Sequence, residues 1–272
     1  MADNRPIGVF DSGLGGLTAM ATLMRALPGE DICYLGDTGR VPYGSRSPET
    51  IEKYAGEDVA FLKSLDVKAI VVACGTVSAV ALHQIKDTYP MSIYGVLEPT
   101  AKAAFRATKN KKIGILGTEA TITSGAYETL LRAAAADVQI VSRACPLFVP
   151  LVENGRVHPG DVVIETVVSE YLTPLKAAGV DTVILGCTHY PLLEDIIARF
   201  MGANVTLVSS GAAVAERVAK DLTRKGLLSA RQSGGTHRYY VTDSVSGFIK
   251  LASLFLQQDV SGEVTQVALT SD

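Results

Sequence analysis

Apolar residues in this chain fall into short β-branched runs separated by longer stretches of helical spacing. Runs at 7–10, 32–35, 69–73, 93–96, 113–116, 138–141, 182–185, 205–208 and 238–241 each read as a strand. Several are continuous in Val and Ile, the pattern of parallel strands buried on both faces. Between them, Ile164, Val167, Val168, Tyr171, Leu172 and Leu175 recur at helical spacing and stop before Gly179. Met20 and Met24, one turn apart, read as the core face of another helix. Strand–helix alternation along the whole length predicts an α/β fold with mainly parallel sheets flanked by helices.

The pattern also reads as one plan used twice. Ile7-Gly-Val-Phe-Asp-Ser-Gly resembles Ile113-Gly-Ile-Leu-Gly-Thr-Glu, and Ile70-Val-Val-Ala-Cys-Gly-Thr resembles Val183-Ile-Leu-Gly-Cys-Thr-His, in nearly one register. Two pseudosymmetric lobes are therefore expected, the second starting near Glu98-Pro99. The strand and helix from Arg238 to Gln257 could return to either lobe, and the tail beyond Gln257 carries no readable pattern.

Composition narrows the class. The chain has 272 residues, 47% hydrophobic and 19% charged, with 25 glycines, which excludes disorder for its bulk and provides for many tight turns. A net charge of −3 and the lack of any Lys/Arg block exclude a phosphate-backbone footprint, so no nucleic-acid partner is expected. No signal-peptide pattern and no membrane-spanning stretch stand out, so the expected location is the cytoplasm. The four cysteines, Cys33, Cys74, Cys145 and Cys187, form no C-x-x-C pair, and no metal site is expected. Cys33 and Cys145 read as buried reduced thiols. His83, His158 and His237 have no partner at ligand spacing.

Known motifs are missing elsewhere. Gly13-Leu-Gly-Gly follows a strand, but Thr18 breaks the dinucleotide fingerprint. In open α/β sheets ligands bind beyond the carboxyl ends of the strands, where helices begin. Those ends carry Asp11-Ser12, residues 37–44, Cys74-Gly75-Thr76, Gly117-Thr118 and Cys187-Thr188-His189. Cys74 and Cys187 thus occupy equivalent places in the two halves, with Asp11, Glu153 and His189 as the titratable groups nearby. Two thiols flanking one carbon can remove a proton from one face and return one to the other, which is racemisation by two bases. Spacing alone leaves open that each cysteine is simply a small residue packed at a strand end.

Six segments, in order, carry a resemblance. They are Gly8-Val-Phe-Asp-Ser-Gly-Leu-Gly-Gly-Leu-Thr, Tyr34-Leu-Gly-Asp-Thr-Gly-Arg-Val-Pro-Tyr-Gly, Val72-Ala-Cys-Gly-Thr, Gly117-Thr-Glu-Ala-Thr-Ile, Ala144-Cys-Pro-Leu-Phe-Val-Pro-Leu-Val-Glu-Asn-Gly and Leu185-Gly-Cys-Thr-His-Tyr-Pro-Leu-Leu. The chain resembles, from residue 7 to about 257, the glutamate racemases of the cofactor-independent aspartate/glutamate racemase superfamily. That resemblance implies a cleft site between the lobes, with residues 1–98 and 211–272 in the first and 99–210 in the second.

It also implies that Cys74 serves D-glutamate, assisted by Asp11, and that Cys187 serves L-glutamate, assisted by His189 with Glu153 nearby. Ser12, Tyr43, Gly44, Thr76, Thr118, Thr121 and Thr188 would hold the substrate's carboxylates and ammonium through hydroxyls and backbone N–H groups. No cofactor is implied; the product would supply peptidoglycan synthesis, and a homodimer is a common assembly in the family. One position departs: Gly75 stands where the family usually has asparagine, so a backbone N–H or a water would replace that amide. The alternatives are an aspartate racemase or other two-thiol isomerase, a non-catalytic amino-acid-binding protein, and a thiol-redox switch.

Overall fold

The computed structural model describes residues 2–256, 260 and 262–269. Each run expected to be a strand is one, with ends shifted by up to three residues. The strands are β1 (Ile7–Asp11), β2 (Ile32–Gly36), β3 (Ala69–Val72), β4 (Ser92–Gly95), β5 (Lys112–Gly117), β6 (Gln139–Ala144), β7 (Thr182–Leu185), β8 (Thr206–Ser209) and β9 (His237–Val241). A further short strand, β10 (Val264–Gln266), lies in the tail where no pattern was readable. Val264 is half-buried and its two neighbours are exposed, so no buried run marks it.

The strands form two sheets, ordered β10-β9-β2-β1-β3-β4 and β6-β5-β7-β8. Every pairing is parallel. The order β2-β1-β3-β4 in one sheet is repeated as β6-β5-β7-β8 in the other, so the repeat read in the sequence is a repeat of topology. β9 joins β2 in register, Ile32 beside His237, which places the C-terminal strand on the first sheet. The Gln257 expected in the terminal segment lies outside the described residues. The chain passes between the sheets along the helices Leu97–Ala107 and Ser210–Lys225, which pack on each other.

β1, β2, β3 and β7 are buried along their whole length, as continuous apolar runs require when helices cover both faces. Side chains alternate between the faces: Ile7 and Val9 join the main core, and Phe10 joins a second cluster with Leu35, Ile70 and Val72. That second cluster is closed by Ile51, Ala55, Val59 and Leu62 of the helix Pro48–Ser64, which starts on a Ser47 cap followed by proline. The expected helical stripe is real. Ile164, Val168, Tyr171, Leu172 and Leu175 are buried on the helix Val162–Ala177, which ends before Gly179 at φ +69°. Among the described residues, no helix is long and apolar enough to cross a membrane.

One ion pair sits inside this framework. Lys68 Nζ lies 2.5 Å from Glu30 Oε2 and donates to the carbonyls of Asp3 (2.6 Å) and Leu227 (2.9 Å). Glu30 Oε1 accepts from the Ser229 N–H at 2.8 Å. The pair therefore joins the N-terminal segment, the approach to β3 and the turn after the helix Ser210–Lys225. Lys68→Met would leave Glu30 buried without its cation, and a loss of about 3–5 kcal/mol is expected in urea unfolding. An unchanged midpoint would mean that water reaches Glu30 in the folded state.

Candidate active site

In the order β2-β1-β3 successive strands are added on opposite sides of β1, so the winding of the sheet reverses between β1 and β3, and in β6-β5-β7 it does the same between β5 and β7. Crevices at such switch points open beyond the carboxyl ends of the strands. Here the two crevices face each other and enclose a cavity of about 410 Å³. All the predicted site residues line it except Asp11 and Thr121, which lie just behind its wall. Cys74 and Cys187 enter from opposite lobes.

The two thiols have different surroundings. Cys74 precedes the helix Gly75–Val80, and its Sγ lies 3.6 Å from Ser12 Oγ. Burial, reinforced by the nearby Asp11 carboxyl, pushes the Cys74 thiol up to about 12, against the pull of the Val77 N–H and the Ser12 hydroxyl. It is a protonated thiol at neutral pH. Cys187 Sγ instead lies 3.8 Å from His189 Nδ1, whose other nitrogen, Nε2, lies 3.0 Å from Glu153 Oε1. Burial alone would lower the His189 pKa, but hydrogen bonds to Cys187 and Glu153 raise it to about 10. An imidazolium held this way donates one N–H to the Cys187 sulfur and the other to Glu153.

Asp11 sits between the lobes. Its Oδ2 accepts from the Gly13 N–H at 3.1 Å, and its Oδ1 accepts from Thr188 Oγ1 at 3.3 Å. The group in contact with Cys74 is therefore Ser12, and Asp11 acts on that thiol through its field. Burial raises the Asp11 carboxyl, opposed by the positive charge of His189 and by backbone N–H groups. Thr118 caps the helix Glu119–Thr123, and its Oγ1 lies 3.0 Å from Thr76 Oγ1 and 2.9 Å from Thr121 Oγ1. Thr18 Oγ1 donates to the Thr188 carbonyl at 2.8 Å. The Thr76–Thr118 and Thr18–Thr188 contacts cross between the lobes, and Thr76, Thr118 and Thr188 also line the cavity.

Two expected binding residues have surroundings that narrow what they can offer. Tyr43, expected in the set that holds the substrate through hydroxyls and backbone N–H groups, lines the cavity with its hydroxyl engaged by Asp37 and Asp58. Gly75 has no room for the family's asparagine. A Cβ there would stand 2.4 Å from the Gly186 carbonyl oxygen of the other lobe. Sequence reasoning missed Cys145, Val149 and Pro150 as cavity residues. Val149 and Pro150 precede Glu153 by one turn of the helix Phe148–Glu153, and that spacing was the available signal. Cys145, though buried as expected, also borders the cavity. Among the described residues, no group of His, Cys, Asp and Glu is arranged to hold a metal ion.

Thiols on opposite walls of one cavity are groups that can take a proton from one face of a carbon and give one to the other. Residues 11–218 match the sequence profile described as Asp/Glu/hydantoin racemase, and the chain belongs to that family. It is 44% identical over 268 residues to the glutamate racemase of Geobacter metallireducens, covering 98% of both chains. A glutamate racemase isoform of Bacillus anthracis superposes with a TM-score of 0.93 at 40% identity, over 98% of both chains. The Francisella tularensis glutamate racemase, solved in complex with D-glutamate, superposes at 0.90 with 35% identity, again over 98% of each.

Two outcomes follow from this geometry. Alkylation of Cys74 by iodoacetamide, followed by peptide mass spectrometry, should rise about tenfold per pH unit from about pH 7 to about pH 10 without levelling off. A levelling-off above about pH 9 would mean that the thiol ionises as if in water. Gly75→Ala presses a methyl group on a backbone oxygen, so a loss of about 1–3 kcal/mol is expected in thermal unfolding. An unchanged Tm would show that the lobes part freely at this point.

Proposed function

We propose that the protein is a glutamate racemase that interconverts L- and D-glutamate by two-base proton transfer at Cα, with one thiol on each face of the carbon. The opposed placement of Cys74 and Cys187 on a single cavity carries this reading. With L-glutamate bound, Cys187 accepts the Cα proton while the Cys74 thiol delivers its own proton to the opposite face. With D-glutamate the roles reverse, and each turnover leaves the protons exchanged and the configuration inverted. The His189 imidazolium, braced by Glu153, supports negative charge on the Cys187 sulfur. Ser12 orients the Cys74 sulfur, and Asp11 acts on it through its field.

A Cα–H is a very weak acid, so the site must stabilise the developing charge. Fixed donors at the cavity serve this purpose: the backbone N–H groups that begin the helix after Cys74, and the hydroxyls of Thr76, Thr118 and Thr188. Thr121 supports Thr118 from behind the wall. Gly75 supplies a backbone N–H in place of a side-chain amide, and Gly44 places its backbone against Thr118. This reading uses no cofactor. The lobes, residues 1–98 with 211–272 and residues 99–210, would close on the substrate from either side. A cytoplasmic enzyme, working as a homodimer and supplying D-glutamate for peptidoglycan and cell-wall formation, is the role that fits the family.

Incubation with L-glutamate in D₂O, without added pyridoxal phosphate, tests the mechanism. The Cα proton signal should disappear as D-glutamate accumulates, and both should fail in Cys74→Ala and in Cys187→Ala. Binding of glutamate without exchange or inversion in the wild-type protein would favour a non-catalytic amino-acid-binding role. Faster turnover of L-aspartate than of L-glutamate would reassign the substrate.

A further inference from the structure

Behind the cavity wall at Tyr43 and Gly44 lies a buried polar cluster that the reaction does not use. Asp37 follows β2, and Asp58 and Glu57 lie on the helix Pro48–Ser64; Asp37 and Asp58 are both fully buried. Arg40 pairs with all three, its Nε 2.6 Å from Asp37 Oδ2, Nη2 3.5 Å from Asp58 Oδ1, and Nη1 on Glu57. Its guanidinium lies 4.1 Å from the centre of the Tyr54 ring. The Tyr43 hydroxyl contacts Asp37 Oδ2 and lies 3.2 Å from Asp58 Oδ2.

Two counts constrain the protons. A phenol has one hydrogen, so Tyr43 can donate to only one of the two carboxyls, and a second hydrogen bond requires the other carboxyl to be the donor. Three carboxylates around one guanidinium would also leave excess negative charge in the interior, a costly arrangement. Asp37 accepts from Arg40 Nε, the Tyr43 hydroxyl and, at 2.8 Å, the Thr242 hydroxyl, so its oxygens are already supplied with donors. Among the described residues, the Asp58 carboxyl has the long contact to Arg40 and the one to Tyr43.

We propose that Asp58 is a neutral carboxylic acid whose Oδ2–H donates to Tyr43 Oη, and that this chain, Asp58 to Tyr43 to Asp37, positions the Tyr43–Gly44 wall of the substrate cavity. Burial, reinforced by the charge of Asp37 and opposed by Arg40, raises the Asp58 carboxyl well above the carboxylate range. Burial likewise keeps the Tyr43 phenol protonated. Asp58 is a positioning residue, acting through Tyr43. Its effect on substrate binding rests on the glutamate racemase reading, whereas its protonation does not.

The test compares Asp58→Asn, whose amide remains a neutral donor, with Asp58→Leu, which has no donor. The infrared difference spectrum of wild type against Asp58→Asn at neutral pH should contain the carbonyl stretch of a protonated carboxylic acid. KM for L-glutamate should stay within about threefold in Asp58→Asn and rise about tenfold in Asp58→Leu, with kcat less affected. The proposal is overturned by absence of the band, by an Asp58→Asn protein that fails to fold, by a KM rise in Asp58→Asn equal to that in Asp58→Leu, or by no rise in either. Should Asp58→Leu not fold, the infrared band and the Asp58→Asn KM decide the matter. A wild-type protein that does not turn over glutamate would refute the racemase reading and leave the infrared result to judge Asp58.

Discussion

The close approach of Gly75 and Gly186 sets the separation of the two lobes, and the geometry of the cavity depends on it. A Cβ on Gly75 would overlap the Gly186 carbonyl oxygen, and a Cβ on Gly186 would stand 2.5 Å from the Leu116 carbonyl oxygen. Backbone thus meets backbone at the centre of the molecule, one residue from each thiol. Hydroxyl contacts surround this point: Thr76 to Thr118, Thr188 to Asp11, and Thr18 to the Thr188 carbonyl. Their hydrogen-bond geometry holds only at short range, so the glycines and the threonines are parts of one constraint. It is also what brings Asp11 of one lobe within reach of the field of His189 on the other.

Within that frame the cleft is symmetric in topology and asymmetric in charge. Cys74 and Cys187 each lie two residues beyond equivalent strands, β3 and β7, but the first faces a hydroxyl and a buried carboxyl and the second faces an imidazole. Low dielectric amplifies this difference, because a buried charge is poorly screened. One thiol is thereby kept protonated, while the sulfur opposite receives an N–H from a cation. A repeated fold supplies the matched positions, and unmatched neighbours on each wall supply the polarity.

The wall around Tyr43 illustrates a different use of buried charge. Lys68 and Glu30 form a simple pair, completed by backbone carbonyls and an N–H, that ties segments together. The cluster of Asp37, Arg40, Tyr43, Glu57 and Asp58 instead carries more carboxyls than cations, so its hydrogen bonds are satisfied only when a proton is shared into it. Such a cluster is sensitive to donor and acceptor identity in a way that a hydrophobic wall is not.

Much of this was legible in the sequence, for local reasons. Continuous Val/Ile runs between helical patterns determined the strands and their parallel arrangement, because strands buried on both faces need no polar alternation. The two similar strand-end motifs located Cys74 and Cys187 at equivalent points, since a parallel strand delivers its carboxyl end to the same edge of the sheet. β10 was not legible, because Thr265 and Gln266 are exposed and the backbone pairing with β9 leaves no mark on residue type. Which way the Tyr43 hydroxyl points, and the absence of space at Gly75, were decided only by the tertiary structure. Both depend on groups distant in the chain, Asp37 and Asp58 in one case and Gly186 in the other, and a residue's type names the bonds it can make without naming the partner that reaches it first.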